Sequence, residues 1–212
     1  MVAIAKKIDF PSVEHVILYN VGWELYEHLL REAGRKRLTY DEGTLEIMSP
    51  LPIHETIKTM LGSMVELLAL ETRRPMSRRG STTFKNRLME KGLEPDECYY
   101  LRDPAVVRGV DRFDPQVTPP PDLVIEVDIT RGSLPRQPIY QRLGVAELWR
   151  FDGERLHVLH LRDGVYHEHQ MSLAFPMLRP ADLIEFLVLL PDEDETEILY
   201  RFQQWVRERF VG

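Results

Sequence analysis

The stretch PPPDLVIEVD, residues 119–128, decides the fold, because it has the features of a strand at the centre of a sheet. Three prolines end the preceding loop, and the aliphatic residues that follow form an almost unbroken run, which is typical of a strand covered on both faces. Asp122, Glu126 and Asp128 lie in or beside this run. A buried carboxylate is unfavourable unless it is paired, protonated or bound to a cation. The stretch therefore predicts a central strand whose carboxylates need partners.

The chain on either side alternates between helix and strand patterns. Residues 22–34 and 51–71 carry apolar side chains at helical spacing, and residues 35–49 place two β-rich runs around Asp41-Glu42-Gly43, a hairpin signal. Further strands are predicted at 81–90 and 97–101, a loop at 102–121, a short helix at 137–145, three strands of a meander in 146–171, and helices near 179–190 and within 195–210. Together they predict a mixed sheet flanked by helices, in an α/β or α+β fold that periodicity alone does not separate.

Length and composition bound the class of protein. A chain of 212 residues, 43% hydrophobic and 29% charged, suits one globular domain over 1–212, with a core at about 22–190 and a C-terminal helix in 191–212. The sequence has no run of eighteen apolar residues and no secretory signal at its N-terminus, so we expect a cytoplasmic protein with no membrane partner. Cys98, the single cysteine, is expected to be a small buried hydrophobe.

The formal net charge of −7 counts against broad, non-specific affinity for nucleic acid, because phosphate neutralisation needs clustered Lys and Arg. The charged residues are unevenly distributed along the sequence, however. Residues 73–91 are basic, and Arg78, Arg79 and Lys85 within them are candidate substrate contacts, whereas residues 191–197 hold five acids. A solvated face on an acidic protein explains the basic segment equally well.

Strand geometry decides which carboxylates can act together. Asp122 and Glu126 share a face but lie about 13 Å apart at about 3.3 Å per residue, so they cannot share one metal ion. A second ligand must come from an adjacent strand, and Asp96, after Pro95, begins one. If the two strands pair, Asp96 approaches Glu126, and such carboxylates suit Mg²⁺ or Mn²⁺. The alternative is structural, with Asp122 capping its strand and Glu126 paired to an arginine.

Several blocks of the sequence resemble the Uma-type restriction endonuclease family of the PD-(D/E)XK nuclease superfamily. The blocks are YDEGTLEIMSPLPIHE, STTFKNRLMEKGLEPDECYYL, PPPDLVIEVDIT and IYQRLGVAELWRFDGERLHVLHL, which run from about Tyr40 to beyond Leu161. The resemblance implies a four-stranded mixed sheet flanked by helices, with a β-meander and C-terminal helices added here. It also implies Mg²⁺-dependent hydrolysis of DNA phosphodiester bonds.

The resemblance assigns roles unevenly. Asp96 and Glu126 match the metal-binding acids, and Asp122 matches the second Pro-Asp of the family. The superfamily's lysine would fall at Asp128, and the lysine that this family often supplies from the following helix, eight residues before its Gly-Val, would fall at Arg136. Arginine can stabilise a phosphate but is a poor proton shuttle, because its pKa lies above about 12.

Two residues that lie upstream of Asp96, namely Glu46 and His54, are further candidates for the site. For Glu46, the resemblance implies a supplementary carboxylate facing the cleft, and the alternative is a solvated hairpin residue. His54, at the start of the long helix, could orient a phosphate or a water, or could make ordinary hydrogen bonds. The histidines of the meander fit no zinc pattern and are expected to be surface residues: His157, His160, His167 and His169.

The sequence thus predicts a DNA endonuclease that uses Mg²⁺ or Mn²⁺, with Asp96 and Glu126 as ligands. Two rivals remain. One is a nuclease fold that has lost catalysis and binds DNA or a protein. The other is a structural dimer, and a homodimer is expected in either case because the C-terminal helix carries many large apolar residues, namely Leu199, Phe202, Trp205, Val206 and Phe210.

Overall fold

The computed structural model describes residues 15–34, 36–129 and 133–211, which form two β-sheets with helices packed against them. The strands are β1 (His15–Leu18), β2 (Arg37–Asp41), β3 (Thr44–Met48), β4 (Ser77–Arg78), β5 (Phe84–Asn86), β6 (Lys91–Leu93), β7 (Glu97–Tyr100), β8 (Leu123–Val127), β9 (Glu147–Phe151), β10 (Leu156–Arg162) and β11 (Val165–His169). The α-helices are α1 (Trp23–Glu32), α2 (Pro52–Glu71), α3 (Gln137–Leu143), α4 (Ile184–Leu187) and α5 (Glu195–Val206). Short 3₁₀ turns occupy Arg87–Met89, Pro104–Val107 and Pro180–Leu183, and a π-helical turn occupies Arg207–Val211.

The predicted central strand, β8, lies inside the larger sheet, whose order is β11-β10-β9-β8-β7-β4. Strands β8 and β9 are parallel and are connected through α3, whereas the other neighbouring pairs are antiparallel. All five residues of β8 are buried. Ile125 packs in the core formed with α2 and α5, and Val124 packs on the opposite face with α3. The mixed α+β class is confirmed, but the sheet has six strands where the resemblance implies four, because β4 and the meander extend its edges.

The smaller sheet, ordered β1-β3-β2-β6-β5, contains the predicted hairpin. Strands β2 and β3 pair through Glu42 and Gly43, whose φ angles are 45° and 86°. Two consecutive positive φ angles are what a type I′ hairpin turn requires. Helix α1 covers this sheet, and the buried rings of Tyr26 and Tyr40 stack with centroids 4.8 Å apart.

The strand predicted over 81–90 is wrong in its extent. Only Phe84–Asn86 is a strand, and a 3₁₀ turn follows it. The side chain of Asn86 accepts a hydrogen bond from the Met89 amide at 3.2 Å, and Glu90 then adopts a φ of 48°. This local cap reverses the chain, so that β5 pairs back on β6.

The expectation that the meander histidines are surface residues is wrong for His160. Its side chain is buried, and its ring stacks on His169 with centroids 4.1 Å apart. The reason is that His160 and Glu147 lie opposite each other on β10 and β9, and that face packs against the main core. Cys98 is fully buried, as expected.

The C-terminal helix is present, and its apolar residues pack mainly within the same chain. Phe202 and Val206 are fully buried in the core that α2 shares with β8. The Trp205 ring contacts Phe186, Phe202 and Phe210 at centroid distances of 5.8, 5.7 and 5.3 Å. The cluster that suggested a subunit contact therefore has partners inside one protomer. No helix in the three described ranges is long and apolar enough to cross a membrane.

Candidate functional site

Asp96 and Glu126 are neighbours across two strands. In the register of β7 and β8, Glu97 lies opposite Ile125, and one further step along the ladder brings Asp96 opposite Glu126. The Val127 amide donates a hydrogen bond to Asp96 Oδ2 at 2.7 Å, which fixes this arrangement. Opposite residues in an antiparallel pair have Cα atoms about 4.5–5.5 Å apart and point to the same face. The two carboxylates therefore lie close together at this end of the two strands.

Asp96 is fully buried and contacts a guanidinium and an imidazole. Arg37 of β2 donates from Nη1 to Oδ1, and His54 Nε2, at the start of α2, lies 3.2 Å from Oδ2. Burial alone would raise the pKa of Asp96. The contact with His54 and the charges of Arg37 and Arg136 outweigh burial and hold that pKa below its usual range. Asp96 is thus an ionised carboxylate at neutral pH.

Glu126 is also buried, but the groups around it shift its pKa in the direction opposite to that of Asp96. Its Oε2 accepts a hydrogen bond from Arg136 Nη1 at 2.6 Å, and its Oε1 accepts one from the Tyr140 hydroxyl. Burial and the nearby charge of Asp96 raise the pKa of Glu126 to about 7, although Arg136 and Tyr140 oppose the rise. Two adjacent carboxylates therefore have pKa values displaced in opposite directions, which is common at functional sites.

Arg136 lies between two carboxylates. It immediately precedes α3, and its Nη2 lies 4.0 Å from Oε2 of Glu46, a fully buried residue of β3. Burial disfavours the charged guanidinium, but the negative charges of Glu126 and Asp96 raise the pKa of Arg136 above its ordinary value. Arg136 is accordingly a permanent cation in the cleft.

Glu46 is not the solvated hairpin residue of the alternative interpretation. Its Oε1 accepts a hydrogen bond from the Leu134 amide at 3.2 Å, whereas its buried Oε2 has no hydrogen-bond partner within the described part of the chain. Burial raises the pKa of Glu46 above its ordinary value. An under-coordinated carboxylate oxygen beside a guanidinium is a position where a further cation or proton would be stabilised.

Asp122 lies outside this group. Its Oδ2 accepts hydrogen bonds from the amides of Leu101 and Arg102 at 2.7 and 2.8 Å, and its Oδ1 accepts one from Arg102 Nε. These contacts tie the end of β7 to the start of β8. The structure thus places Asp122 where the structural interpretation of its Pro-Asp expects it, at the far end of the strand from Glu126.

The basic segment is mostly paired. Arg78 donates from Nε and Nη2 to both carboxylate oxygens of buried Glu97, at 2.9 and 2.7 Å, and its Nη1 lies 2.8 Å from Glu66. Lys85 donates to Glu27 at 2.6 Å. Neither side chain reaches the carboxylate cleft, and Arg79 lines a separate pocket.

Sequence reasoning missed three residues around the cleft. Tyr140 follows Arg136 by four residues and so shares a helix face with it, a signal that could have identified it. Arg150 lies opposite Glu126 in the parallel register and, with Asp128 and Arg136, lines a cavity of about 190 Å³ beside Glu126. Arg37 gave no local signal, since it meets Asp96 across 59 positions of sequence.

The donor chemistry fits a hard divalent cation. Asp96, Glu126 and Glu46 offer carboxylate oxygens, which Mg²⁺ and Mn²⁺ prefer, and Mg²⁺ commonly takes only one or two protein carboxylates. With the side chains as they lie, no three Asp, Glu, His or Cys ligands converge in the described ranges. In the structure both oxygens of Glu126 accept hydrogen bonds, one from Arg136 and one from Tyr140.

Comparison with known families agrees with this architecture. The sequence model of the Uma2 family, described as a putative restriction endonuclease, matches residues 23–191 of the 212-residue chain. This chain belongs to the Uma2 family. The Uma2 match includes Asp96, Glu126 and Arg136, and it ends before α5. No curated protein matches the chain.

Proposed function

We propose that this Uma2 protein is a DNA endonuclease that hydrolyses phosphodiester bonds with Mg²⁺ or Mn²⁺. The observation that supports this proposal is the pair of buried carboxylates, Asp96 and Glu126, held side by side on neighbouring strands. Burying two acids together is unfavourable for stability, so a function that uses both explains their placement better than packing does.

In this proposal Asp96 and Glu126 hold the cation, and Glu46 supports them from β3. The bound cation would supply positive charge to the scissile phosphate and to the attacking water. Arg136 would move from Glu126 to a non-bridging phosphate oxygen, where a guanidinium makes charge-assisted hydrogen bonds. Arg150, on the wall of the same cavity, would hold the phosphate from the other side. Neither arginine would transfer a proton, because both stay charged.

Plasmid cleavage in Mg²⁺ and in Mn²⁺ tests the proposal. Wild type should cleave, and Glu126→Gln, which keeps the size of the side chain but removes its charge, should lose at least a hundredfold in rate. Glu185→Gln is the matched control, since Glu185 is an exposed acid away from the cleft. Thermal melting should show that both variants fold. Equal rates for Glu126→Gln and wild type would refute the assignment.

The role of Arg136 can be separated in the same assay. Arg136→Lys should keep metal-dependent cleavage, because lysine can still place a positive charge at the phosphate. Arg136→Ala should lose about a hundredfold or more, the range typical of removing one preorganised charge donor. Cleavage unchanged in Arg136→Ala would retain the nuclease but remove the arginine from its mechanism.

One observation favours a second candidate, a nuclease fold that binds DNA without cleaving it. Arg136 already neutralises Glu126 and lies near Glu46, where a metal ion would otherwise be required. If so, wild type should cleave in neither metal yet retain DNA in a salt-dependent way. A homodimer, expected from the C-terminal helix, would be detected by sedimentation at micromolar concentration.

A further inference from the structure

A second pocket, of about 370 Å³, lies at the opposite end of β7 from the carboxylate cleft. Its floor includes Phe84, which is buried, and Tyr100, the last residue of the strand. Tyr100 is four residues beyond Asp96, so it points to the same face of the sheet at a distance of roughly 13 Å. The proline-rich segment 102–121 forms the other wall and contributes Phe113. The pocket and the cleft therefore lie on the same face of the sheet, within reach of one short strand of nucleic acid.

The lining combines aromatic rings with positive charge. Phe84 and Phe113 have ring centroids 4.4 Å apart in an edge-to-face arrangement. Three arginines, Arg78, Arg79 and Arg112, also line the pocket, and Asp111 is the one acid among its described lining residues. On a chain with a net charge of −7, this local excess of arginine is a departure from the average surface.

Two of these arginines, Arg79 and Arg112, differ in how accessible they are to a ligand. Arg79 donates from Nη2 to the Val107 carbonyl, which holds the guanidinium against the loop, but its buried Nε has no hydrogen-bond partner within the described residues. Arg112 is exposed at the rim. An anion that enters the pocket would meet the charge of the exposed Arg112 guanidinium first.

We propose that this pocket binds one unpaired nucleotide of the DNA substrate, with its base against Phe113 and Phe84 and its phosphate at Arg79 and Arg112. The proposal rests on the proposed function, because it makes the pocket a substrate subsite on the same strand as the cleft. Any base can pack its π-face on an aromatic ring, and an arginine fork suits the phosphate oxygens. The enzyme would accordingly prefer single-stranded or locally unpaired DNA at a short distance from the cleaved bond.

Binding without metal tests the subsite separately from cleavage. The probes are deoxyadenosine monophosphate, a fluorescein-labelled hexanucleotide and inorganic phosphate, all measured in excess chelator. Phe113→Leu stays apolar but removes the ring, and it should weaken hexanucleotide binding about tenfold. Arg112→Gln should also weaken it and should reduce its salt dependence. Arg108→Gln is the matched control, because Arg108 is exposed on the same segment and does not line the pocket.

The outcomes distinguish the subsite from the nuclease. Binding of the nucleotide that Phe113→Leu weakens and Arg108→Gln leaves unchanged supports the subsite, even if no variant cleaves DNA. Cleavage by wild type with no nucleotide binding overturns the subsite and leaves the nuclease intact. Equal loss in Arg108→Gln, or competition by inorganic phosphate as strong as by the nucleotide, also overturns it, because either result means general attraction of anions without recognition of a base.

Discussion

At the level of single residues, the contact that Arg136 makes in the structure can be separated from the role proposed for it. In the structure it stabilises the buried charge of Glu126 through the hydrogen bond at 2.6 Å, and in the proposed reaction it would leave that partner for a phosphate. Removing one member of a buried ion pair leaves the other charge uncompensated, which is more harmful than removing both.

We therefore predict a strong coupling between these two residues. Arg136→Met should lower the free energy of unfolding by about 3–5 kcal/mol, and adding Glu126→Gln should recover much of that loss, because the carboxylate that lost its partner is then neutral. Urea denaturation of both single variants and the double variant measures the coupling. Arg207→Met, which breaks an exposed pair with Glu71, is the control and should change little. Additive losses in the double variant would contradict the prediction.

The residues of the site differ in how much the sequence reveals of them. The two Pro-Asp strands predicted the approach of Asp96 to Glu126 from spacing alone. The hydrogen bonds of Asp122, which tie it to Leu101 and Arg102, depend on where the loop 102–121 returns and so lie beyond any periodicity argument. Arg37 reaches Asp96 only because the smaller sheet packs beside the larger one, a tertiary contact without a local signal.

The helices and strands also differ in how much the sequence reveals of them. The hairpin and the helix α2 follow from local rules, the turn residues of the one and the apolar period of the other. Strands β1, β4 and β6 have four, two and three residues, too short for an alternating pattern to emerge. They exist because neighbouring strands pair with them, so their positions depend on the finished sheet.

Gly92 shows how closely β6 is packed. A Cβ built there would overlap the Tyr26 side chain, with Cζ at 2.8 Å, and Tyr26 is fully buried and cannot easily move. Gly92→Ala should therefore destabilise the protein by about 1–3 kcal/mol, the usual range for overpacking. Gly22→Ala is the matched control, since a Cβ there meets nothing nearer than 3.9 Å and φ is −73°. Equal midpoints of denaturation for the two variants would show that the Tyr26 side chain moves aside for the added methyl group at little energetic cost.

The meander should give the protein a stability that depends on pH. Burial, together with the nearby charge of His169, lowers the pKa of His160 from 6.5 to about 4. The unfolded chain then binds more protons than the folded one between these values, so stability is retained above about pH 6.5 and falls as the pH drops toward 4. The raised pKa of Glu147, 3.9 Å from His160, acts in the opposite direction, which makes a difference measurement necessary.

His160→Phe, which keeps a ring on His169, removes the titrating group. Its free energy of unfolding should fall less than that of wild type between pH 7 and pH 4.5, as measured by urea denaturation at each pH. The contribution of Glu147 is present in both proteins and largely cancels in the difference, although its own pKa will shift slightly once the imidazole is gone. Parallel pH profiles for the two proteins would show that His160 is already protonated in the fold or is accessible to water.

If the protein holds DNA as proposed, the charge of the whole molecule limits how it does so. The net charge is −7, so the cations placed to contact phosphates are the arginines that line the cleft cavity and the second pocket and donate no hydrogen bond to a described acid outside them: Arg79, Arg112, Arg136 and Arg150. Each phosphate contact adds about 0.7–0.9 to the negative slope of log K against log salt concentration. Three or four contacts therefore predict a slope of roughly −2 to −4.

This shallow slope can be measured by fluorescence anisotropy with labelled single-stranded DNA at several salt concentrations, without metal. Arg112→Gln and Arg150→Gln should each reduce its magnitude by about one contact, whereas Arg108→Gln should leave it unchanged. A slope steeper than about −6 would mean that more phosphate contacts form than these four arginines supply. A slope near zero would mean that phosphates contribute nothing to recognition, and both the proposed cleft and the proposed subsite depend on them.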